Sequence, residues 1–124
     1  MKKKFGKKRY FLNPKEGVEA ASFNVEVEED LNSKKTRWPY LDNDVSLEIS
    51  DCDGQIVVGC NVWVEGSKKR TLASLKERRA KVKRLQEIVD AFAESALESF
   101  DYMESRLDDY YKAYDAKKKE QKKG

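Results

Sequence analysis

The sequence predicts an α+β protein, an antiparallel meander of three to five strands packed on a long C-terminal helix that extends beyond the sheet. Three observations carry this. Residues 45–64 alternate apolar and polar side chains on either side of Asp53-Gly54, residues 23–28 alternate in the same way, and residues 71–119 contain neither glycine nor proline and carry one apolar stripe at helical spacing. At about 1.5 Å per residue that last stretch would run roughly 70 Å, whereas a compact domain of this length has a radius of gyration of about 14 Å. The helix therefore outruns its own domain, and its far half needs a second copy or a partner to cover it.

The chain has 124 residues, 39% apolar and 40% charged, so one domain with a modest core is expected and its surface outweighs that core. Residues 1–8 read as a basic N-terminal tail, 9–66 as the antiparallel sheet, 67–118 as the helix and 119–124 as a disordered basic tail. Residues 9–12 are expected to form a short strand that Asn13-Pro14 ends, with a Gly17 loop leading on. The next strand carries Phe23, Val25 and Val27 inward and Asn24, Glu26 and Glu28 outward. Residues 30–44 form a polar loop around Trp38-Pro39-Tyr40, in which Pro39 biases Trp38 to an extended conformation and residues 34–41 pair briefly at an edge.

Residues 45–52 and 55–64 flank Asp53-Gly54, a dipeptide that supplies the positive φ angles of a two-residue hairpin turn. In that register Val45, Leu47 and Ile49 share a core face with Ile56, Val58, Cys60, Val62 and Val64. Ser46, Glu48, Ser50, Cys52, Gln55, Val57, Gly59, Asn61, Trp63 and Glu65 fall on the opposite face. Trp63 there either stacks on a base or covers the sheet edge under the 30–44 loop, and the second reading is preferred. Cys52 and Cys60 lie on different faces, so they do not pair, and Cys60 is a small core residue. The segment Asp51-Cys52-Asp53-Gly54 opens like a calcium loop but lacks the remaining ligands and the closing glutamate, so it is read as a turn.

The helix is capped by Ser67 or Thr71, with a capping box at Ser74 and Glu77 if the start slips. From there Leu85, Val89, Phe92, Ala96, Phe100, Met103, Leu107, Tyr110 and Tyr114 recur at spacings of three and four, with a stutter through Phe92, Ala96 and Phe100. Ile88, Ala93 and Leu97 widen the stripe, and the sheet is expected to pack on residues 82–97. Beyond it Phe100, Met103, Leu107, Tyr110, Tyr111 and Tyr114 have no sheet left to cover them and are the candidate protein interface. The opposite face, with Glu87, Asp90, Glu94, Glu98, Asp101, Glu104 and Asp108, reads first as solvated and second as an acidic docking surface.

A net charge of +3 hides strong segregation: residues 1–16 carry +6, 17–67 carry −8, 68–84 carry +8, 85–109 carry −7 and 110–124 carry +4. An antiparallel homodimer crossing near residue 93 would lay the basic 68–84 block beside the acidic 101–109 block, while a parallel pair would stack like on like. The basic blocks also suit phosphate. Lys7, Lys8 and Arg9, continuing Lys2, Lys3 and Lys4, together with Lys68, Lys69, Arg70, Lys76, Arg78, Arg79, Lys83 and Arg84, are the candidate contacts to DNA or RNA, helped by Lys81. In architecture the sheet and helix are similar to single-strand binders of the Whirly and Pur type, which implies a nucleic-acid-binding sheet. Here Glu26, Glu28, Glu48 and Glu65 on the outer face would repel a phosphate backbone.

Enzyme chemistry has little foothold. There is no histidine, no glycine-rich phosphate loop and no nucleophile motif, and two separated cysteines do not make a zinc site, so no catalysis, cofactor or metal is expected. No stretch matches a membrane span and the lysine-rich start lacks an apolar signal region, so a cytoplasmic location without membrane association is expected. Two functions remain: a small nucleic-acid-associated protein that self-assembles through its helix, or a protein-interaction or inhibitory module that engages a cellular protein through the aromatic and acidic helix faces. The second is similar in general composition to small viral and phage accessory proteins.

Overall fold

The computed structural model describes residues 1–12, 19–31, 38–51, 53–64 and 66–123. Four strands, β1 (Lys2–Phe11), β2 (Ala20–Asp30), β3 (Tyr40–Ser50) and β4 (Gln55–Gly59), form one antiparallel sheet in the order β1-β2-β3-β4, and one helix, α1 (Lys68–Lys123), follows. This is the α+β meander with a long C-terminal helix that the alternation and the glycine-free stretch predict. The chain divides into two compact units, residues 1–83 with the sheet and the first turns of α1, and residues 84–124 with the remainder of the helix.

β1 is far longer than the expected 9–12 strand, and residues written as a basic tail belong to the ladder. The reason lies in its neighbour. Lys2 and Lys4 stand opposite Glu28 and Glu26, and the Lys2 Nζ reaches Glu26 Oε1 at 3.6 Å, so unlike charges face each other across the strands. The register shifts between Lys4 and Gly6, leaving Phe5 as the extra residue of a bulge. Gly6 stands opposite Val25, and a Cβ placed on it would come within 2.8 Å of the Phe23 ring. Gly6→Ala must therefore push that ring aside, and we expect it to lower stability by about 1 kcal/mol, read as a lower urea midpoint. An unchanged midpoint would mean the ring yields freely.

The pairing of β3 with β4 keeps the expected faces but not the expected turn. Leu47 faces Val58 and Ile49 faces Ile56, with Ser50 and Gln55 as the last pair, whereas a turn confined to Asp53-Gly54 would pair residue 52 with 55. The ladder is displaced by two residues, and a displacement of two preserves which side chains share a face. The Asp51 side chain explains the choice. Its Oδ1 accepts the amides of Asp53 at 2.8 Å and Gly54 at 3.0 Å, while the Asp51 amide donates to the Gly54 carbonyl at 2.9 Å. Cys52, the Asn13-Pro14 end, the Gly17 loop, Glu65 and residues 32–37 lie outside the described residues. Tyr40 and Leu41 pair with Asp30 and Glu29, and the Tyr40 hydroxyl donates to Asp42 at 3.1 Å, a contact that raises the phenol above its ordinary pKa.

β4 ends at Gly59, well short of the strand expected over 55–64. One backbone bond continues the ladder, from the Cys60 amide to the Val45 carbonyl at 2.8 Å. Two asparagine side chains then take over: Asn61 Oδ1 accepts the Val45 amide at 2.7 Å, and Asn43 Oδ1 accepts the Val62 amide at 2.8 Å. Side-chain amides stand in for the missing backbone partners, so no strand is needed there. The carbonyls freed from the ladder face the helix. Asn61 O accepts Arg78 Nε at 2.9 Å, and Gly59 O accepts Lys81 Nζ at 2.6 Å.

The buried apolar residues among those described are Ala20, Cys60 and Val62. Val27, Leu41, Val62 and Val64 line a depression with Thr71 and Leu75, so within the first unit the helix meets the sheet through its first turns. Val82 lines a second depression with Val45, Cys60 and Val62, and on the second unit the side chains of Ile88, Val89, Phe92 and Leu97 are exposed. Ile49 and Ile56 remain exposed although the register puts them on the core side. Cys60 is a free, buried thiol, as its face predicts. The helix runs on through the lysine-rich end expected to be a tail, because Lys, Glu and Gln are good helix formers and no breaker intervenes.

Candidate functional site

Three surfaces hold the residues singled out from the sequence. On β1, Lys7 and Arg9 stand opposite Asn24 and Ser22, while Lys8 stands opposite Phe23 on the other face. Lys7, Lys8 and Arg9 line a shallow depression of about 420 Å³ with Ser22, Asn24, Ser46 and Glu48. Two of these cations also lie near an aromatic two residues on, Lys8 at 4.8 Å from the Tyr10 ring and Arg9 at 5.3 Å from that of Phe11. The neighbouring strands bring carboxylates to the same sheet face as Lys7: Glu26 is opposite Asp44, Glu28 is opposite Asp42, and Asn24 Nδ2 donates to Asp44 at 2.7 Å. The positive potential of this strand is thereby offset.

The second surface is the start of α1. Ser67 caps it, with its Oγ accepting the Arg70 amide at 3.3 Å and its carbonyl accepting the Thr71 amide at 3.1 Å. No acidic residue occupies the first turn, which leaves Lys68, Lys69 and Arg70 exposed at the positive end of the helix dipole. Further on, the candidates divide. Arg78, with its neighbour Lys81, is held by sheet carbonyls, and Arg84 pairs with Glu87 at 3.2 Å. Lys76, Arg79 and Lys83 remain exposed and outside any ion pair among the described residues. Arg79 and Lys83 line a depression of about 300 Å³ with Asn43, Val45 and Cys60, separate from the one that holds Lys7 and Arg9. The two basic sets thus line different depressions and do not merge into one patch.

The third surface lies on the second unit. Phe100, Met103, Leu107, Tyr110, Tyr111 and Tyr114 are all exposed, at three- and four-residue spacing along the helix. The tyrosines pack on one another: Tyr110 meets Tyr111 edge-on at 5.1 Å and stacks on Tyr114 at 6.2 Å. Upstream, Val89, Phe92 and Leu97 are equally bare, Phe92 at 71% exposure. The exposed apolar side chains of the second unit therefore begin well before Phe100. Apolar side chains repeated at helical spacing and left in water are unstable unless something covers them.

Asn43 and Asn61 escaped the sequence reading. For Asn43 the signal is a polar residue on the inner face, opposite Val27; Asn61 falls on the polar face and carries none. Trp63 is 69% exposed and Trp38 88%; residues 32–37 of the loop expected over Trp63 lie outside the described residues. No group of His, Cys, Asp and Glu fit to hold a metal occurs among the described residues, and no helix is long and apolar enough to cross a membrane. The chain matches no protein-family model, and no curated protein or solved structure is significantly similar to it.

Proposed function

We propose that this is a non-catalytic binding protein that self-assembles through its long helix. The observation that carries the reading is the uncovered stripe from Val89 to Tyr114, whose large apolar and aromatic side chains stand in water at helical spacing. Tyrosine, phenylalanine and methionine dominate it, the residue types enriched where proteins meet. Light-scattering mass over a range of concentrations tests this: a mass of twice the 14.4 kDa chain is expected, and a single-copy mass throughout would refute self-assembly and leave a different protein as the occupant of the stripe.

A second reading, binding to the phosphate backbone of DNA or RNA, is favoured by one feature. Lys68, Lys69, Arg70, Lys76, Arg79 and Lys83 are exposed cations near a helix start with no acid in its first turn. Lys7, Lys8 and Arg9 support it less, because carboxylates share their sheet. Anisotropy of labelled single- and double-stranded oligonucleotides should show binding at about 50 mM salt that weakens by orders of magnitude at about 200 mM. Charge removal at Arg79 and Lys83 should weaken it without regard to base sequence. No binding at the lower salt would make these side chains surface charge alone.

A further inference from the structure

We propose that two copies pair antiparallel about a two-fold axis at Ala96. The inference rests on the self-assembly reading and specifies its geometry. Counted outward from Ala96, the stripe reads the same in both directions: steps of four, three and four lead back to Phe92, Val89 and Leu85, and forward to Phe100, Met103 and Leu107. At about 100° per residue all seven side chains fall within about 40° of one line along the helix. The chemistry mirrors as well as the spacing, with phenylalanine answering phenylalanine, valine answering methionine and leucine answering leucine. All seven lie on the helix of the second unit.

A helix of this kind is its own complement when a second copy is turned end for end. Phe92 then lies level with Phe100 of the partner copy, Val89 with its Met103 and Leu85 with its Leu107, while the two Ala96 side chains meet at the axis. The small residue there leaves room for the four phenylalanine rings that flank it. The stutter, which breaks a heptad repeat, sits on the axis, and it is what makes the two arms match. A different protein would have no reason to require a stripe that reads alike from both ends.

Size and charge fit the same occupant. Six large side chains on each copy, roughly half exposed, amount to about 1,200 Å² over the pair, within the range of specific interfaces. A parallel in-register pair would set the +8 segment 68–84 beside itself. The antiparallel pair sets it beside residues 108–124, whose net charge is +2, so less like charge is brought together. The axis lies slightly beyond the crossing near residue 93 that block charges alone suggest.

The test is crossed disulfide formation in the full chain. Leu85→Cys and Leu107→Cys variants are co-expressed with distinguishable tags, checked for parental helix content by circular dichroism, mildly oxidised and mapped by peptide mass. The expected product joins residue 85 of one copy to residue 107 of the other, with each variant alone giving little self-linked product and the parent giving none. Links of 85 to 85 and 107 to 107, or a dimer without the 85–107 link, would overturn the Ala96 axis and leave self-assembly standing. A single-copy mass for the parent would overturn both.

Discussion

A chain carrying Phe100→Ser, Leu107→Ser and Tyr110→Ser is expected to scatter as one 14.4 kDa copy under conditions in which the parent has twice that mass. Burying a large apolar side chain contributes about 1.5–3 kcal/mol. In a pair of copies each change occurs twice, so the three together remove on the order of 10 kcal/mol, comparable to the whole free energy of a complex with micromolar to nanomolar affinity. The same variant should lose helical ellipticity, because a helix without a packed face draws little stability from its propensity alone. The sheet unit should keep its own urea transition, since none of these residues belongs to it. A dimeric parent whose mass survives all three changes would place the seam elsewhere.

The second large effect is expected at two adjacent residues. Val62 is 8% exposed and shares a groove with Arg78, Arg79 and Lys83, whereas Trp63 is 69% exposed. Val62→Lys would place an ammonium among apolar walls and beside like charges, a loss of about 3–5 kcal/mol. Native domains hold only about 5–15 kcal/mol in all, and one with so few buried residues belongs at the low end. The variant should therefore be largely unfolded in the sheet unit at room temperature, by far-ultraviolet circular dichroism. Trp63→Ala, although it removes a far larger side chain, should stay within about 0.5 kcal/mol of the parent. Equal losses at both positions would show that the alternation of faces does not govern this edge.

Much of the architecture was legible because it rests on periodicity. The inner and outer sets on β2 and β3 follow from a period of two, and they survived even where the turn was misplaced, since a ladder displaced by two residues keeps its faces. What periodicity could not show was extent. β1 runs to Lys2 because its lysines find Glu26 and Glu28 across the sheet, a pairing between residues far apart in sequence. β4 stops early because Asn43 and Asn61 substitute for backbone partners, which no propensity anticipates. The docking of the helix by its first turns hinges on Arg78 and Lys81 finding carbonyls on the 59–61 segment. From sequence these two are indistinguishable from the other cations of a basic block, and no spacing marks them as the pair that meets the sheet.

The edge beyond β4 also has a mechanical meaning. Asn61 joins two structures at once: its side chain closes onto Val45 and its carbonyl holds Arg78. Slipping this segment by one residue would break both bonds together and turn Val62 away from Leu75, so the hairpin and the first turns of the helix open and close as a single cooperative element. Amide protons at Val45 and Val62 should then exchange in step with those of the helix around Arg78, and the clasp sets the alignment of strand and helix much as a key sets a lock.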